Sequence, residues 1–345
     1  MRKLRVVQWT TGIVGKTSLR AIIAHPKLEL VGVFCHGAEK VGKDAGELAL
    51  VDPVGVKATN RIEDILALKP DCVVYMPQWP DIGHIERLLE AGINIVTTAR
   101  IITGRHYEAD IGKRIENAAL KGNATFYGTG MNPMFIPTLT LAATGLCGTV
   151  RKISILESTD CVMYPGVGTW EAYGFGKPLN YDQLKDDLWK AEPDYRELLE
   201  VMAEALDVRL DDTTLDVKYA LADADRDLDY MKIPKNTVAA IDATWRGLVR
   251  GETFVEVRTV WKLGALYGHT ETPNWELLYG YKLDVEGDMN ITLNCIFMPE
   301  DISKIDIGIP TAMPAVNAIP QVCAARSGVL SVKDLTLITS RGRSA

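Results

Sequence analysis

One threonine and two glycines near the start of this chain have a spacing that could do chemistry. In Leu4-Arg-Val-Val-Gln-Trp-Thr-Thr-Gly-Ile-Val-Gly-Lys16, Thr10, Gly12 and Gly15 spell T-x-G-x-x-G between an apolar run and a helical pattern that stops at His25-Pro26. Gly12 would let the backbone approach phosphate oxygens, and Gly15 would let a helix lie close on a strand. A helix that starts here leaves its first N–H groups without carbonyl partners and carries partial positive charge. A pyrophosphate can therefore dock without a cationic side chain. The first position of the motif, ordinarily glycine, is Thr10, whose hydroxyl can support a turn by local hydrogen bonding. The expected dinucleotide contacts are Thr10, Thr11, Gly12, Ile13, Val14 and Gly15.

The tip of the second strand separates NAD from NADP. An acid there binds the ribose hydroxyls and a basic residue accepts a 2′-phosphate. The segment Cys35-His-Gly-Ala-Glu-Lys-Val-Gly-Lys43 has no acid directly at the strand end. His36 and Lys40 suit a phosphate, Glu39 suits two hydroxyls, and Lys43 reads as solvated. NADP is the expected cofactor, with NAD as the alternative.

Ligands of a doubly wound sheet lie beyond the carboxyl ends of its strands. That rule draws in Met76-Pro-Gln-Trp-Pro80, Thr97-Thr-Ala-Arg-Ile-Ile-Thr-Gly104 and Gly128-Thr-Gly-Met-Asn-Pro-Met-Phe135. Pro77, Thr98 and Asn132 are expected at the cofactor, and Trp79 and Met134 at the substrate. Arg100 could polarise a carbonyl or pair with a carboxylate, although a surface arginine fits the same loop. His106 is a candidate proton donor, with Tyr107 beside it. The second half adds Glu157, Asp160, Tyr164, Trp170 and Phe175 as substrate-pocket residues and Tyr173 as a further catalytic candidate. Its glycine- and aromatic-rich stretch from Met163 to Gly176 is expected to form an apolar lid, the alternative being packing at a domain junction.

The elements that must carry these residues alternate strand and helix as far as Gly128, with strands at Leu28–Cys35, Asp71–Met76, Asn94–Thr98 and Ala124–Gly128. Helices are expected at Thr17–Ala24, Ile62–Leu68, Asp81–Glu90 and Tyr107–Leu120. That grammar gives an α/β fold, a doubly wound parallel sheet of Rossmann type. After about Gly130 comes a helix at Pro137–Leu146, a helical insertion at Tyr181–Leu206, and long alternating strands joined by turns such as Arg250-Gly251. An α+β domain with a mainly antiparallel sheet follows from these. The expected domains are 1–130 for the dinucleotide, 131–310 for substrate and dimerisation, and 311–345 as a helix, Ala312–Arg326, and tail returning to the first domain. The net charge of −7 argues against nucleic acid as a partner, and no apolar run is long enough to span a membrane. Six scattered cysteines without a C-x-x-C pair read as reduced thiols of a cytoplasmic protein, and the five histidines form no metal-binding cluster.

Val6-Val-Gln-Trp-Thr-Thr-Gly-Ile-Val-Gly15, Val41-Gly-Lys-Asp-Ala-Gly46, Asn94-Ile-Val-Thr-Thr98 and Gly128-Thr-Gly-Met-Asn-Pro133 together resemble the dihydrodipicolinate reductase-like proteins. Within them they resemble the branch of 2,4-diaminopentanoate dehydrogenase and the NAD(P)H-dependent amine dehydrogenases. The resemblance implies a homodimer, a substrate pocket between the domains, and hydride transfer at a carbon bonded to nitrogen or oxygen. The amine dehydrogenases of this branch carry a catalytic glutamate just after the strand matching Asn94–Thr98. Here that stretch is Ala99-Arg-Ile-Ile102, with no acid. An arginine in that place repels an ammonium group and welcomes a carbonyl or carboxylate. The expectation is an NAD(P)-dependent oxidoreductase acting on a carbonyl, imine or activated alkene of a small to medium, partly apolar substrate. Two alternatives stand beside it: an amine dehydrogenase in which Glu157 or Asp160 replaces the missing glutamate, and a non-catalytic NADP sensor.

Overall fold

A computed structural model of the chain describes residues 2–265, 275, 277–297 and 306–340. The chain forms two compact units, one of Met1–Phe135 with Asp306–Ala345 and one of Ile136–Ile305.

Short, nearly all-apolar strands build the first unit: β1 (Leu4–Trp9), β2 (Leu28–Phe34), β3 (Ala58–Thr59), β4 (Cys72–Tyr75), β5 (Asn94–Thr97) and β6 (Thr125–Gly128). Such runs suit strands covered on both faces. They pair in parallel in the order β3-β2-β1-β4-β5-β6. The order therefore reverses between β1 and β4, and the carboxyl ends flanking that crevice are Trp9 and Tyr75. Helices α1 (Ile13–Ile23), α2 (Ala45–Ala49), α3 (Ile62–Leu68), α4 (Ile82–Glu90) and α5 (Ile111–Gly122) alternate with the strands. Ile65, Ile85, Leu88 and Ile115 from α3 to α5 cover one face through Val7, Val73, Ile95 and Phe126.

The expected helix from Tyr107 begins only at Ile111. Ala109 and Asp110 take positive φ, and Gly104 accepts the Gly112 N–H at 3.0 Å in a backbone contact too close for side chains. His106 and Tyr107 thus belong to the loop. A kinked segment, Met131–Phe135, with non-helical backbone at Asn132 and Pro133, closes this part of the unit.

In the second unit, α6 (Ile136–Thr144), α7 (Val167–Ala172), α8 (Tyr181–Ala191) and α9 (Pro193–Ala205) accompany long strands. These are β7 (Val150–Asp160), β8 (Asp212–Leu221), a two-residue pair β9 (Arg226–Asp227) and β10 (Lys232–Ile233), β11 (Val238–Val249), β12 (Glu252–Lys262), β13 (Gly280–Gly287) and β14 (Ile291–Ile296). The main sheet runs β14-β13-β7-β12-β11-β8 and is antiparallel except between β7 and β12. Arg250 and Gly251, with φ of 52° and 81°, make the β11–β12 hairpin, where only a turn with two left-handed residues matches the strand twist. Alternation sends Ile241, Ala243 and Trp245 inward, where Trp245 stacks on Trp189 of α8 and Tyr195 of α9. Asp242, Arg246, Glu256 and Arg258 occupy the other face and pair there, Arg258 gripping Asp242 at 2.7 and 2.8 Å.

The chain then re-enters the first unit as α10 (Ile309–Ala324) and β15 (Gly328–Val329), which adds to β6 in parallel. Ala315, Val316, Ile319 and Val322 of α10 join Ile22 of α1 over Val6, Val74, Val96 and Tyr127, closing the second face of the sheet. Asp306 fixes the entry to α10 by accepting Thr17 Oγ1 at 2.7 Å and the Arg20 guanidinium.

Candidate functional site

The glycine turn after β1 has the geometry that the sequence implies, with an unexpected residue at its first position. Thr10 takes φ 75°, the left-handed conformation that glycine adopts freely and a β-branched residue adopts only under constraint. Two bonds supply that constraint. Thr10 N–H donates to Phe34 O at 2.8 Å, and Thr10 Oγ1 donates to Met76 O at 2.8 Å, tying β1 to the ends of β2 and β4. A Cβ on Gly15 would stand 2.4 Å from Thr10 O, so α1 can start where it does only because that residue is glycine. A Cβ on Gly12 would meet no atom of the described residues within 4 Å. The head of α1 has no capping side chain and no acid in its first turn. Thr11 Oγ1 is buried beside it with no hydrogen-bond partner among the described residues. An open glycine, uncapped N–H groups and an orphaned hydroxyl fit an anionic diphosphate. Ile13 and Val14 are half-buried in this first turn.

At the β2 tip, Trp9 and Phe34 stack with ring centroids 3.8 Å apart. The exposed His36 meets Phe34 edge-on at 5.3 Å, and Lys40 lies in the 3-10 turn Ala38–Lys40. The part of the imidazole that is desolvated, then the neighbouring His84, holds His36 below its ordinary pKa. His84, which the sequence reading missed, sits in the first turn of α4. Asp81 precedes it, with its carboxylate accepting the His84 N–H at 3.0 Å and its own N–H donating to Tyr75 Oη at 3.0 Å. The available signal was only an Asp-x-x-His pattern after Pro80, which marks a helix start before it marks a ligand.

Beyond β4 and β5, the Arg100 guanidinium lies 4.7 Å over the Trp79 ring, and that ring is half exposed. This contact fixes a cation on an aromatic platform at the carboxyl edge of the sheet. Thr97 Oγ1 shapes the turn by accepting the Ala99 N–H at 2.9 Å, which sets Thr98 and Arg100 beyond the strand. Pro77, Thr98, His106 and Asn132 are half-buried in these loops, and Met134 is buried within the first unit.

In the second unit Glu157 and Asp160 lie on β7, and Tyr164, Trp170, Tyr173 and Phe175 fall in the stretch 163–176 expected as a lid. Trp170, Tyr173 and Phe175 are buried, and their rings pack among themselves and on Trp261, with Tyr173 and Trp261 centroids 4.6 Å apart. These three rings, held by one another's edges, form part of a packed cluster, the kind of arrangement weighed against the apolar lid for 163–176. Tyr164 borders it, edge-on to Trp170 at 5.8 Å, and accepts the Trp170 indole N–H at 2.8 Å on its carbonyl. Asp160 accepts the Val162 and Gly264 N–H groups at 3.1 and 3.2 Å, a bracing role at the end of β7. Glu157 is buried at 7% exposure and lies opposite Tyr281 across the β7–β13 ladder. Burial and the Glu157 charge push the Tyr281 phenol well above its ordinary pKa, and Tyr195 is raised by burial and by Tyr173 and Glu157. A carboxylate among phenols can hold or relay a proton.

Residues 134–342 match the family model of the 2,4-diaminopentanoate dehydrogenase C-terminal domain. Across 99% of its length the chain is 28% identical to an amine dehydrogenase of Streptomyces virginiae, covering 98% of that protein. It is 22% identical to the 2,4-diaminopentanoate dehydrogenase of Acetoanaerobium sticklandii over 97% of this chain and 94% of the relative. The solved amine dehydrogenase of Mycobacterium smegmatis shares the fold at a TM-score of 0.81, with 18% identity and coverage of 98% of this chain and 97% of that one.

Proposed function

The chain belongs to the 2,4-diaminopentanoate dehydrogenase family of NAD(P)-dependent oxidoreductases, and from that premise we propose that it is an NADP(H)-dependent reductase or dehydrogenase working at a carbonyl or imine carbon. Nicotinamide supplies or accepts the hydride when bound. The residues at Gly12 to Gly15 hold the diphosphate with backbone N–H groups. His36 and Lys40 take the 2′-phosphate.

The observation that carries the choice of substrate is the Arg100–Trp79 stack. A permanently charged guanidinium, held 4.7 Å over an indole, occupies the loop after β5, where Ala99 to Ile102 offer no carboxylate. Such a cation can donate hydrogen bonds to a carbonyl oxygen or a substrate carboxylate as negative charge grows on oxygen. It disfavours an ammonium group in the same place. His106, retained in the loop rather than drawn into α5, is the proposed proton donor.

A second reading has one specific observation behind it. Glu157 is a buried carboxylate whose charge bears on Tyr281 and Tyr195, of the kind that an amine dehydrogenase would use to hold ammonium, and one relative is named an amine dehydrogenase. Under it, NADPH oxidation with a ketone requires ammonium. Titration with ammonium at fixed ketone separates the two: carbonyl reduction proceeds without it, and reductive amination does not.

A further inference from the structure

A second histidine stands beside the residues at the β2 tip. His84 and His36 come from different elements yet address one ring. Their imidazoles stand 5.9 and 5.3 Å from Phe34, at interplanar angles of 68° and 83°. His84 also meets Trp9 at 5.3 Å. Two imidazoles therefore stand edge-on to the Trp9–Phe34 stack, at the tips of β1 and β2. The charged groups bearing on His36 are His84 and Asp81 at the start of α4 and Lys40 in the 3-10 turn. Asp81 Oδ2 faces His84 Nδ1 at 3.4 Å, setting a carboxylate beside that ring.

We propose that His84 and His36 together form a proton-linked receptor for the 2′-phosphate of NADP(H), with Lys40 as its fixed cation. The inference rests on the reading of the β2 tip as the adenosine end. In the ligand-free protein partial burial, then the neighbouring His84, holds the His36 imidazole below its ordinary pKa. A dianionic phosphate placed against them reverses that balance, because its charge favours the protonated form of each ring. Binding of NADP(H) thus takes up a proton, and its affinity falls as pH rises. NAD(H) lacks the phosphate and has no reason to follow.

The test is calorimetric titration of the full chain with NADPH and with NADH at pH 6.5, 7.5 and 8.5 (above the second phosphate pKa of about 6), each in two buffers of different protonation enthalpy. The expected NADPH dissociation constant rises roughly three- to tenfold per pH unit, with net proton uptake, while that of NADH stays level. His84→Ala should lower the NADPH-over-NADH preference about tenfold or more at pH 6.5, the worth of one charge-assisted contact. His84→Lys, a permanent cation, should keep NADPH binding while flattening its pH slope. A constant NADPH preference without proton uptake, or a preference unmoved by His84→Ala, overturns the histidine pair and leaves the cofactor reading standing. A preference for NADH in the unmodified protein overturns the NADP reading itself, and the pair with it.

Discussion

Replacing Gly12 and Gly15 by alanine, one at a time, should separate binding from folding within a single turn. At Gly12 the backbone has φ −75°, open to any residue, and the added methyl meets no atom of the described residues within 4 Å. Alanine is a poorer helix cap than glycine, but it restricts the unfolded chain, and the two effects of about 0.5–1 kcal/mol oppose each other. The melting temperature should therefore move by no more than about 3 °C. The same methyl would occupy the approach proposed for the cofactor diphosphate at the head of α1. Losing one charge-assisted hydrogen bond of about 1.5–3 kcal/mol weakens NADPH binding roughly 10- to 100-fold. At Gly15 the methyl would lie 2.4 Å from Thr10 O and 3.0 Å from Thr10 C, both backbone atoms of a turn already tied to Phe34 and Met76. Overpacking of that kind costs about 1–3 kcal/mol, so Gly15→Ala should melt about 3–10 °C lower and lose cofactor affinity as well. Differential scanning calorimetry and NADPH titration of both variants read the two effects. Unchanged NADPH affinity in Gly12→Ala, or an unchanged melt in Gly15→Ala, would refute the assignment of this turn.

Thr10→Val keeps the shape but leaves Met76 O without its donor, and should destabilise the protein by about 1–2 kcal/mol in a urea titration. Thr10→Gly removes the same bond yet relieves the left-handed strain at φ 75°, and should be the milder change of the two. Asp306 is desolvated, but the bonds from Thr17 and Arg20 outweigh that and hold its carboxyl below the ordinary range. Its contribution is present above the unfolded pKa of about 3.9 and disappears as pH falls through the lower folded value. Asp306→Asn should therefore lower the melting temperature at pH 7, and the difference from the unmodified protein should shrink in acid. Arg100→Glu reverses the charge over Trp79; ketone reduction should fall about tenfold or more and ammonium-dependent turnover should rise, both followed by nicotinamide absorbance.

The parallel sheet was legible because each central strand is a short apolar run with a turn signal behind it. Cys72–Tyr75 and Thr125–Gly128 are buried throughout, as such runs require. The helix α10 was legible from its apolar pattern beyond the antiparallel strands. Residue types alone did not disclose contacts made through space. Thr10 looked like a weakened glycine motif, whereas its hydroxyl bridges to Met76, 66 positions away. Tyr173 and Phe175 read as part of an apolar lid because glycines interrupt regular packing, but Trp261 on β12 packs on Tyr173 and Trp170, and Trp170 on Phe175. His84 passed unnoticed because its relation to His36 exists only once α4 is folded against the β2 tip.

Arg100 and the missing acid after β5 bear most directly on the chemistry. The decisive measurement is NADPH oxidation by the purified protein with a panel of aliphatic ketones and preformed cyclic imines, assayed with and without ammonium. Turnover of a ketone or a preformed imine in the absence of ammonium, reduced by Arg100→Glu, is the predicted result. Turnover that appears only with ammonium, survives Arg100→Ala and is abolished by Glu157→Gln would contradict it, and would assign the chemistry to the buried carboxylate of β7.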